Sequence, residues 1–363
     1  MGSTEIRPFT INISQEDLDD LGRRLAEVRW TNEIPGSSGS YGVSVDRTQH
    51  LVEYWRDEYD WRAWETRLNS YPQFTTEIDG QNIHFLHIKS GRPDALGLIL
   101  THGWPGSIVE FLDVIEPLTE KGFHVVIPSI PGFGFSGPTH DSGWNNTRIA
   151  TAWAELMRRL GYERYGAAGN DAGAMISPEV GRVDPEHVVG VHVSQAYSFP
   201  SGDPSDFDGL SDDDQKAVER LNWFWQNMGA FNILQSQQPQ TLAHALEDSP
   251  AGLAGWNGQL MDETLDDEFV VTNLAIYWFT RTAGSSMRLY YENNQDGGPG
   301  EPTSVPLGLA GSSGDFHGVR RFAERDHGNI VSWNVYDVNS HYLAHSAPDL
   351  LADDIAKFYT ELR

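Results

Sequence analysis

The chain contains no cysteine among its 363 residues, so disulfide bonds and a thiol nucleophile are both excluded. Lysine is scarce too, because arginine supplies all but four of the 25 basic residues, a bias typical of GC-rich bacterial genomes. A membrane-spanning helix needs about 18 consecutive apolar residues, and no apolar stretch of the sequence approaches this length. The first residues lack the charged and then apolar pattern of a secretion signal. These absences predict a cytoplasmic protein without a membrane segment.

Basic charge is in short supply as well, because 25 Lys and Arg face 52 Asp and Glu, for a formal net charge of −27. A surface of this sign repels phosphate groups, which argues against nucleic acids and anionic membranes as partners. The motif G-x-S-x-G, which marks the serine nucleophile of many hydrolases, does not occur in the sequence. A mechanism built on that serine is therefore excluded.

Apolar runs bounded by glycine and proline alternate along the chain with stretches of helical periodicity. The continuous apolar runs predict strands buried on both faces of a parallel sheet, at residues 96–100, 124–127, 164–168, 188–194, 304–307 and 330–336. Helical spacing predicts helices over residues 14–28, 46–68, 149–160 and 350–362, and a hairpin with an Asp79-Gly80 turn is expected at residues 74–88. The pattern predicts an α/β fold with a doubly wound, mostly parallel sheet.

The alternation of strand and helix is interrupted once, and this suggests four segments. An N-terminal region over residues 1–92 is expected to pack on the main domain, whose first part covers residues 93–198. Residues 199–294 read as mostly helical, and residues 295–363 complete the main domain. Ligands of such sheets bind at the carboxyl ends of the strands, so the helical insertion is expected to form a cap over the site.

The stretch Gly169-Asn170-Asp171-Ala172-Gly173 lies between a predicted strand and a predicted helix. A sharp turn flanked by small residues at such a junction is typical of a nucleophile elbow, here with Asp171 at its tip. A carboxylate nucleophile suits displacement at saturated carbon, which leaves an alkyl ester on the enzyme. The chemistry indicated is the opening of epoxides or the dehalogenation of haloalkanes.

A second motif, His102-Gly103-Trp104-Pro105-Gly106, follows an upstream strand at the position of an oxyanion loop. The backbone N–H groups of Trp104 and Ala172 are the expected oxyanion donors. His102 and Trp104 are expected to line the substrate pocket.

His341 follows the last strand, where the catalytic base is expected when the chain order is nucleophile, acid, base. The acid must lie between Asp171 and His341, and both Asp315 and Asp326 qualify by position; we favour Asp315, in a glycine- and serine-rich loop, because Asp326 reads as a turn cap. His345, four residues after His341, reads as structural or surface. No glutamate stands between the two histidines as a metalloprotease motif requires, so no metal site is predicted.

The chain resembles the microsomal-type epoxide hydrolases, a group that includes the juvenile-hormone-type enzymes, over nearly its whole length. The resemblance is carried by the motif at His102 and by stretches in the N-terminal region, at residues 29–35, 54–61 and 72–80. It implies an α/β-hydrolase fold with a helical cap and an N-terminal extension that wraps the core, in a soluble bacterial member without the membrane anchor.

The resemblance also assigns roles to residues. Asp171 falls at the family's nucleophile, His341 at its base and Asp315 at its acid. Tyr290, in the motif Ser285-Ser-Met-Arg-Leu-Tyr290, falls at one of two cap tyrosines that protonate the epoxide oxygen. The other tyrosine position falls on Phe231, which has no hydroxyl and is implied to line the substrate pocket. Ala172 stands where tryptophan is frequent.

The function expected from the sequence is hydrolysis of an apolar epoxide to a vicinal diol, with water as the second substrate and no cofactor. A haloalkane dehalogenase with the same Asp171 and His341 is the alternative, although Ala172 removes an indole that would bind halide. A hydrolase fold that only binds an apolar ligand is a third reading, raised by Phe231. The sequence leaves the oligomeric state open and is compatible with a homodimer.

Overall fold

A computed structural model describes residues 4–37, 39–261, 263–295 and 300–362. Within these residues the chain forms one sheet of nine strands, in the spatial order β1-β2-β3-β5-β4-β6-β7-β8-β9. The strands are β1 (Arg7–Pro8), β2 (Gln73–Ile78), β3 (Gln81–Ile88), β4 (Leu96–Thr101), β5 (Phe123–Pro128), β6 (Tyr165–Gly169), β7 (Val188–Val193), β8 (Leu307–Ser312) and β9 (Ile330–Tyr336).

The first four strands in spatial order, β1, β2, β3 and β5, pair antiparallel, and all pairs from β5 to β9 are parallel. The antiparallel part includes the predicted hairpin, in which Asp79 and Gly80 both have positive φ, at 52° and 77°. This backbone is the one that a two-residue type I′ turn requires. The α/β fold with a mostly parallel sheet that the sequence predicts is confirmed.

The described helices fall into three groups. Those of the N-terminal region are α1 (Gln15–Ala26), α2 (Val45–Asp57) and α3 (Trp61–Asn69). Those that alternate with the strands are α4 (Ile115–Glu120), α5 (Asn146–Arg159), α6 (Ala172–Val183), α14 (Arg320–Asp326), α15 (Leu343–Ser346) and α16 (Pro348–Thr360). The insertion between β7 and β8 contains α7 (Asp212–Asn227), α8 (Ala230–Gln237), α9 (Pro239–Leu246), α10 (Pro250–Gly258), α11 (Asp267–Thr280), α12 (Ala283–Ser286) and α13 (Arg288–Asn294). Short 3₁₀ segments cover Ile108–Val114, Gly134–Ser136 and Pro204–Phe207.

Helices cover both faces of the sheet, as neighbouring residues of β7 show. A Cβ on Gly190 would lie 3.0 Å from the Phe358 ring of α16, whereas the side chain of Val191 approaches Gly181 of α6. Adjacent residues of a strand point to opposite faces, so α6 and α16 lie on opposite sides. The predicted doubly wound arrangement follows from these contacts.

Two of the predicted elements were wrong in detail. The helix expected over residues 46–68 is interrupted, because the Asp60 carboxylate accepts hydrogen bonds from the first N–H groups of α3 and starts a new helix. The strand expected at residues 304–307 instead runs from Leu307 to Ser312. The sequence pattern did not indicate this strand correctly because several of its residues are small. Gly308 is needed because a Cβ there would lie 2.7 Å from the Phe358 ring.

The main core is a continuous cluster of buried apolar side chains that joins the sheet, the N-terminal helices and the insertion. A small second cluster contains Ala217, Val319 and Phe322. In the described part of the chain, no helix is long and apolar enough to cross a membrane. The carboxyl ends of β4, β6, β7 and β8 meet at one edge of the sheet, and the candidate site lies there.

Candidate active site

Asp171 stands between the end of β6 and the start of α6, with φ 52° and ψ −121°. Positive φ is strained for a residue with a side chain, and the tight packing of the turn holds it there. A Cβ on Gly169 would lie 2.1 Å from the Gly173 carbonyl oxygen, and one on Gly173 would lie 1.7 Å from that of Thr101. The two glycines therefore let the strand and helix cross closely enough to present Asp171 at the tip of the turn.

The loop after β4 holds the carboxylate of Asp171. The backbone N–H of Trp104 donates to Asp171 Oδ1 at 2.9 Å. The N–H of Ala172 also donates a hydrogen bond to this carboxylate. Gly103 is essential for this approach, because a Cβ there would lie 2.1 Å from Asp171 Oδ1. Both N–H groups that the sequence predicted as oxyanion donors are thus placed at Asp171.

The same loop is fastened to the inserted helix α11. The Tyr277 hydroxyl donates to the Gly106 carbonyl oxygen at 2.8 Å, and the Ser107 hydroxyl donates to Asn273 Oδ1 at 2.7 Å. The peptide bond between Trp104 and Pro105 is cis. The two hydrogen bonds to α11 hold the loop that carries the N–H of Trp104.

His102 lies beneath this loop and is buried. The Ile130 N–H donates to His102 Nε2 at 3.3 Å, which leaves the proton on Nδ1, 3.0 Å from the Gly103 carbonyl oxygen. Burial lowers the pKa of His102 to about 4, so the imidazole is neutral. The described contacts of His102 brace the loop, whereas the sequence predicts that it lines the pocket.

His341 stands between two carboxylates. Its Nδ1 lies 2.9 Å from Asp315 Oδ1, and its Nε2 lies 3.7 Å from Asp171 Oδ2. Asp315 follows β8 by three residues, which brings it to the same edge of the sheet. The other candidate acid, Asp326, ends α14 and pairs with Arg325 at 2.7 Å. The structure therefore joins Asp171, His341 and Asp315 in one chain of contacts.

Gln195 is a site residue that sequence reasoning missed. It is buried two residues after β7, and its Oε1 accepts from the Asp171 N–H at 2.8 Å. Its Nε2 donates to Asn170 Oδ1 at 2.7 Å and to Asp315 Oδ2 at 2.5 Å. One amide thus joins the turn at Asp171 to Asp315. Its place at the carboxyl end of a strand next to β6 was the available signal.

The charges of the three residues are coupled. Burial disfavours a charge on His341, but Asp315 and Asp171 outweigh it and raise the pKa of His341 to about 10. Burial also acts against the Asp315 anion, yet His341 and the Gln195 amide hold the pKa of Asp315 below its ordinary value. Burial raises the pKa of Asp171, although His341 and the Trp104 N–H oppose this.

An aromatic wall formed by Trp104, Phe231 and Tyr290 stands beside Asp171. The rings of Trp104 and Phe231 are nearly parallel with centroids 5.6 Å apart, and Tyr290 meets both edge-on at 6.0 and 6.1 Å. Burial and then the Asp171 charge raise the pKa of Tyr290 well above its ordinary value. The phenol stays protonated and can donate a proton or hydrogen bond in the site.

His345 lies away from this constellation and bridges two other carboxylates. Its Nδ1 lies 3.0 Å from Asp113 Oδ2, its Nε2 lies 3.0 Å from Asp266 Oδ2, and its ring stacks on Phe269. These contacts are structural, as the sequence predicted. No group of three or more His, Asp and Glu residues in the described ranges is arranged to hold a metal ion.

Comparisons with known proteins agree with this geometry. Residues 6–111 match the family described as epoxide hydrolase N terminus, and residues 98–247 match the α/β-hydrolase fold. The protein named "Putative epoxide hydrolase" of Stigmatella aurantiaca is 38% identical over 99% of this chain and 86% of its own length. Epoxide hydrolase 1 of Oryctolagus cuniculus is 32% identical over 97% of this chain and 88% of its own.

Solved structures give the same picture. The crystal structure of juvenile hormone epoxide hydrolase from Bombyx mori superposes with a TM-score of 0.91 at 26% identity, covering 100% of this chain and 96% of that one. The Aspergillus niger epoxide hydrolase gives a TM-score of 0.88 at 29% identity, with coverage of 100% and 98%.

Proposed function

This chain belongs to the epoxide hydrolase family, and we propose that it converts an apolar epoxide to a vicinal diol through an ester on Asp171. The observation that carries the proposal is the position of the Asp171 carboxylate. One of its oxygens accepts the Trp104 N–H at 2.9 Å, and the other lies 3.7 Å from Nε2 of His341. A nucleophile, a donor for the oxyanion and a base thus meet at one group.

In the first step, a carboxylate oxygen of Asp171 attacks an epoxide carbon and the carbon–oxygen bond of the ring breaks. The electron pair goes to the ring oxygen, which takes the proton of Tyr290. The product is a hydroxyalkyl ester on Asp171 and a phenolate on Tyr290. Burial and the Asp171 charge raise the pKa of Tyr290, so the phenol enters this step with its proton in place.

In the second step, His341 Nε2 takes a proton from water as the water oxygen attacks the ester carbonyl carbon of Asp171. The N–H groups of Trp104 and Ala172 stabilise the oxyanion. The ester bond breaks, and the leaving alkoxide takes the proton held by His341, which releases the diol. Hydrolysis leaves Asp171 as a carboxylic acid, which releases its proton and returns to the carboxylate. This proton balances the one that Tyr290 gave to the ring oxygen and then regains.

The aromatic wall supports an apolar epoxide as the substrate. Trp104, Phe231 and Tyr290 present ring surfaces beside the nucleophile, and such surfaces bind apolar groups by burial. The groups that react in each step are side chains and backbone N–H groups of this chain, the epoxide and water. The cytoplasmic location stays a prediction from the sequence.

The ester can be detected directly by intact-protein mass. A His341→Gln variant, treated with a panel from styrene oxide to polycyclic epoxides, should gain the mass of one epoxide because it forms the ester but cannot hydrolyse it. The matched control is Asp171→Asn/His341→Gln, which should gain nothing.

An equal mass gain in the double variant would contradict the proposed nucleophile. No gain with any member of the panel, together with chloride release from 1-chlorohexane by the wild-type enzyme, would favour dehalogenation. Binding of the epoxides without any turnover, unchanged by Asp171→Asn, would favour a ligand-binding role.

A further inference from the structure

Glu110 is a buried acid that the proposed mechanism leaves unused. It lies in the 3₁₀ segment Ile108–Val114, is 1% exposed, and neither of its carboxyl oxygens has a hydrogen-bond partner among the described residues. Burial of an acid without partners is costly, and an acid in this state at a reaction centre needs a reason.

Gly106, in the loop that carries Trp104, makes the space for this carboxyl group. A Cβ on Gly106 would lie 2.6 Å from Glu110 Oε2 and 3.2 Å from the Tyr342 ring. The Glu110 carboxyl oxygen and the Tyr342 ring edge therefore occupy the space that a side chain at position 106 would take. This carboxyl group lies close to His341, because Tyr342 follows His341 and their rings are 4.9 Å apart.

Two further buried polar atoms near Glu110 are without partners within the described ranges: Nδ2 of Asn170 and the hydroxyl of Tyr342. Burial raises the pKa of Glu110 well above its ordinary value, although His341, the Asn170 amide and the Gly103 N–H oppose this. Burial and then the electrostatic effect of Glu110 raise the pKa of Tyr342. Asn170 immediately precedes Asp171 in the chain. Donors and acceptors from three elements therefore converge beside both Asp171 and His341.

Such a set has the hydrogen-bonding capacity of a water site. A buried water makes about three hydrogen bonds to polar groups that otherwise lack partners. Glu110 offers acceptor oxygens, Asn170 a donor and Tyr342 a hydroxyl that can do either. The electrostatic interaction of Glu110 with His341 and Asp171 shows that this site is near the reacting groups.

We propose that Glu110, with Asn170 and Tyr342, holds the water that His341 deprotonates in the second step. The inference rests on the proposed function and names the positioning residue for hydrolysis of the ester. Glu110 accepts a hydrogen bond from one O–H of the water, and His341 Nε2 takes the proton of the other. The oxygen lone pair is then directed to the carbonyl carbon of Asp171, so the role is confined to the second step.

The test separates the two steps in single turnovers of the full chain with styrene oxide. Rapid acid quench and intact-protein mass follow the formation and decay of the ester in wild type, Glu110→Gln and Glu110→Ala. We expect ester formation at the wild-type rate in both variants. Decay should slow by about 10²-fold in Glu110→Ala, because a displaced reactant loses about that factor, and less in Glu110→Gln, which keeps an acceptor oxygen.

Two further variants separate positioning from packing. Gly106→Ala leaves Glu110 in the chain but puts a Cβ 2.6 Å from its carboxyl oxygen, so it should also slow decay. Asn257→Ala removes another buried side chain without partners in the described structure, in the inserted helix α10, and should change neither step.

The outcomes distinguish this inference from the proposed function. Ester that accumulates in Glu110→Ala and decays faster in Glu110→Gln supports the water site. Wild-type decay in Glu110→Ala, or a parallel fall of both steps, overturns it even when His341→Gln still forms the ester. If His341→Gln forms no ester with styrene oxide although wild type makes the diol from it, the proposed ester on Asp171 is contradicted, whereas a wild type that makes no diol from any epoxide contradicts the proposed function.

Discussion

Replacement of Gln195 by methionine tests whether one buried amide organises the site. Gln195→Met keeps nearly the same volume, so the change removes hydrogen bonds without opening a large cavity. It deprives the Asp171 N–H of its acceptor and removes the donor from Asn170 Oδ1 and Asp315 Oδ2. The side chain is 1% exposed, so water cannot readily replace these partners.

The free-energy change can be worked from the three bonds. The unsatisfied N–H of Asp171 costs about 1–3 kcal/mol, the neutral bond to Asn170 about 1 kcal/mol, and the bond to the Asp315 anion about 1.5–3 kcal/mol. Local relaxation recovers part of this sum, so we expect the free energy of unfolding to fall by about 3–5 kcal/mol. Ester hydrolysis should slow by about 10-fold or more, because Asp315 and the turn at Asp171 lose their common support.

Urea unfolding at pH 7 and single-turnover ester decay measure the two effects. Gln73→Met is the matched control, because Gln73 is also buried and makes three hydrogen bonds, to Leu68, Asn69 and His84, in the N-terminal part of the molecule. It should lower stability but leave ester decay unchanged. A loss below about 1 kcal/mol in Gln195→Met, or equal decay rates in the two variants, would refute the reasoning.

Three other predictions concern single steps or charges. Tyr290→Phe should slow ester formation by about 10²-fold or more without slowing ester decay. Phe231→Tyr should speed formation, because it adds a second hydroxyl beside Tyr290; stopped-flow ester formation measures both. In Asp171→Asn the pKa of His341, measured by NMR, should fall below about 10, because one of the carboxylates that raise it is gone; an unchanged value would contradict the coupling. His345→Gln should lower stability by about 1–2 kcal/mol at about pH 6. Burial opposes a charge on His345, but the contacts with Asp113 and Asp266 outweigh it and raise the pKa of His345. The loss of stability in His345→Gln is therefore complete below about pH 6.5 and shrinks as pH rises through the pKa of His345 in the folded protein. Urea unfolding at several pH values measures it, and a loss that does not change with pH would contradict the reasoning.

Much of the fold was predictable because strand and helix leave strong local patterns. Residues 330–336 are rich in β-branched and aromatic side chains, and β9 covers the same residues as the prediction. The neighbouring strand β8 was misplaced because Gly308, Ala310 and Gly311 carry little hydrophobic signal. The small size of Gly308 is set by the Phe358 ring, which is distant in sequence. A local pattern therefore reports burial only where the buried residues are large.

The candidate site divides in the same way. Asp171, His341 and Asp315 were predictable because each follows a strand and belongs to a local motif or a fixed chain order. Gln195 and Glu110 carry no such motif, and their importance comes from groups that lie far along the chain. For Gln195 these groups are two different turns to which it is hydrogen-bonded, and for Glu110 they include Tyr342, which shares with it the space beside Gly106.

The charge arrangement at His341 gives an order to the two proposed steps. With a pKa of about 10, His341 is protonated at neutral pH in the free enzyme and cannot act as a base. Ester formation neutralises Asp171, which removes one of the charges that stabilise the imidazolium, so the pKa of His341 falls while burial continues to oppose its charge. The imidazolium then gives its proton to the Tyr290 phenolate, and the proton that Asp171 releases at the end of the second step returns His341 to the imidazolium. Asp315 still orients the ring through Nδ1, 2.9 Å away. The base therefore becomes available when there is an ester to hydrolyse, and the water that Glu110 holds meets a neutral Nε2 at that stage.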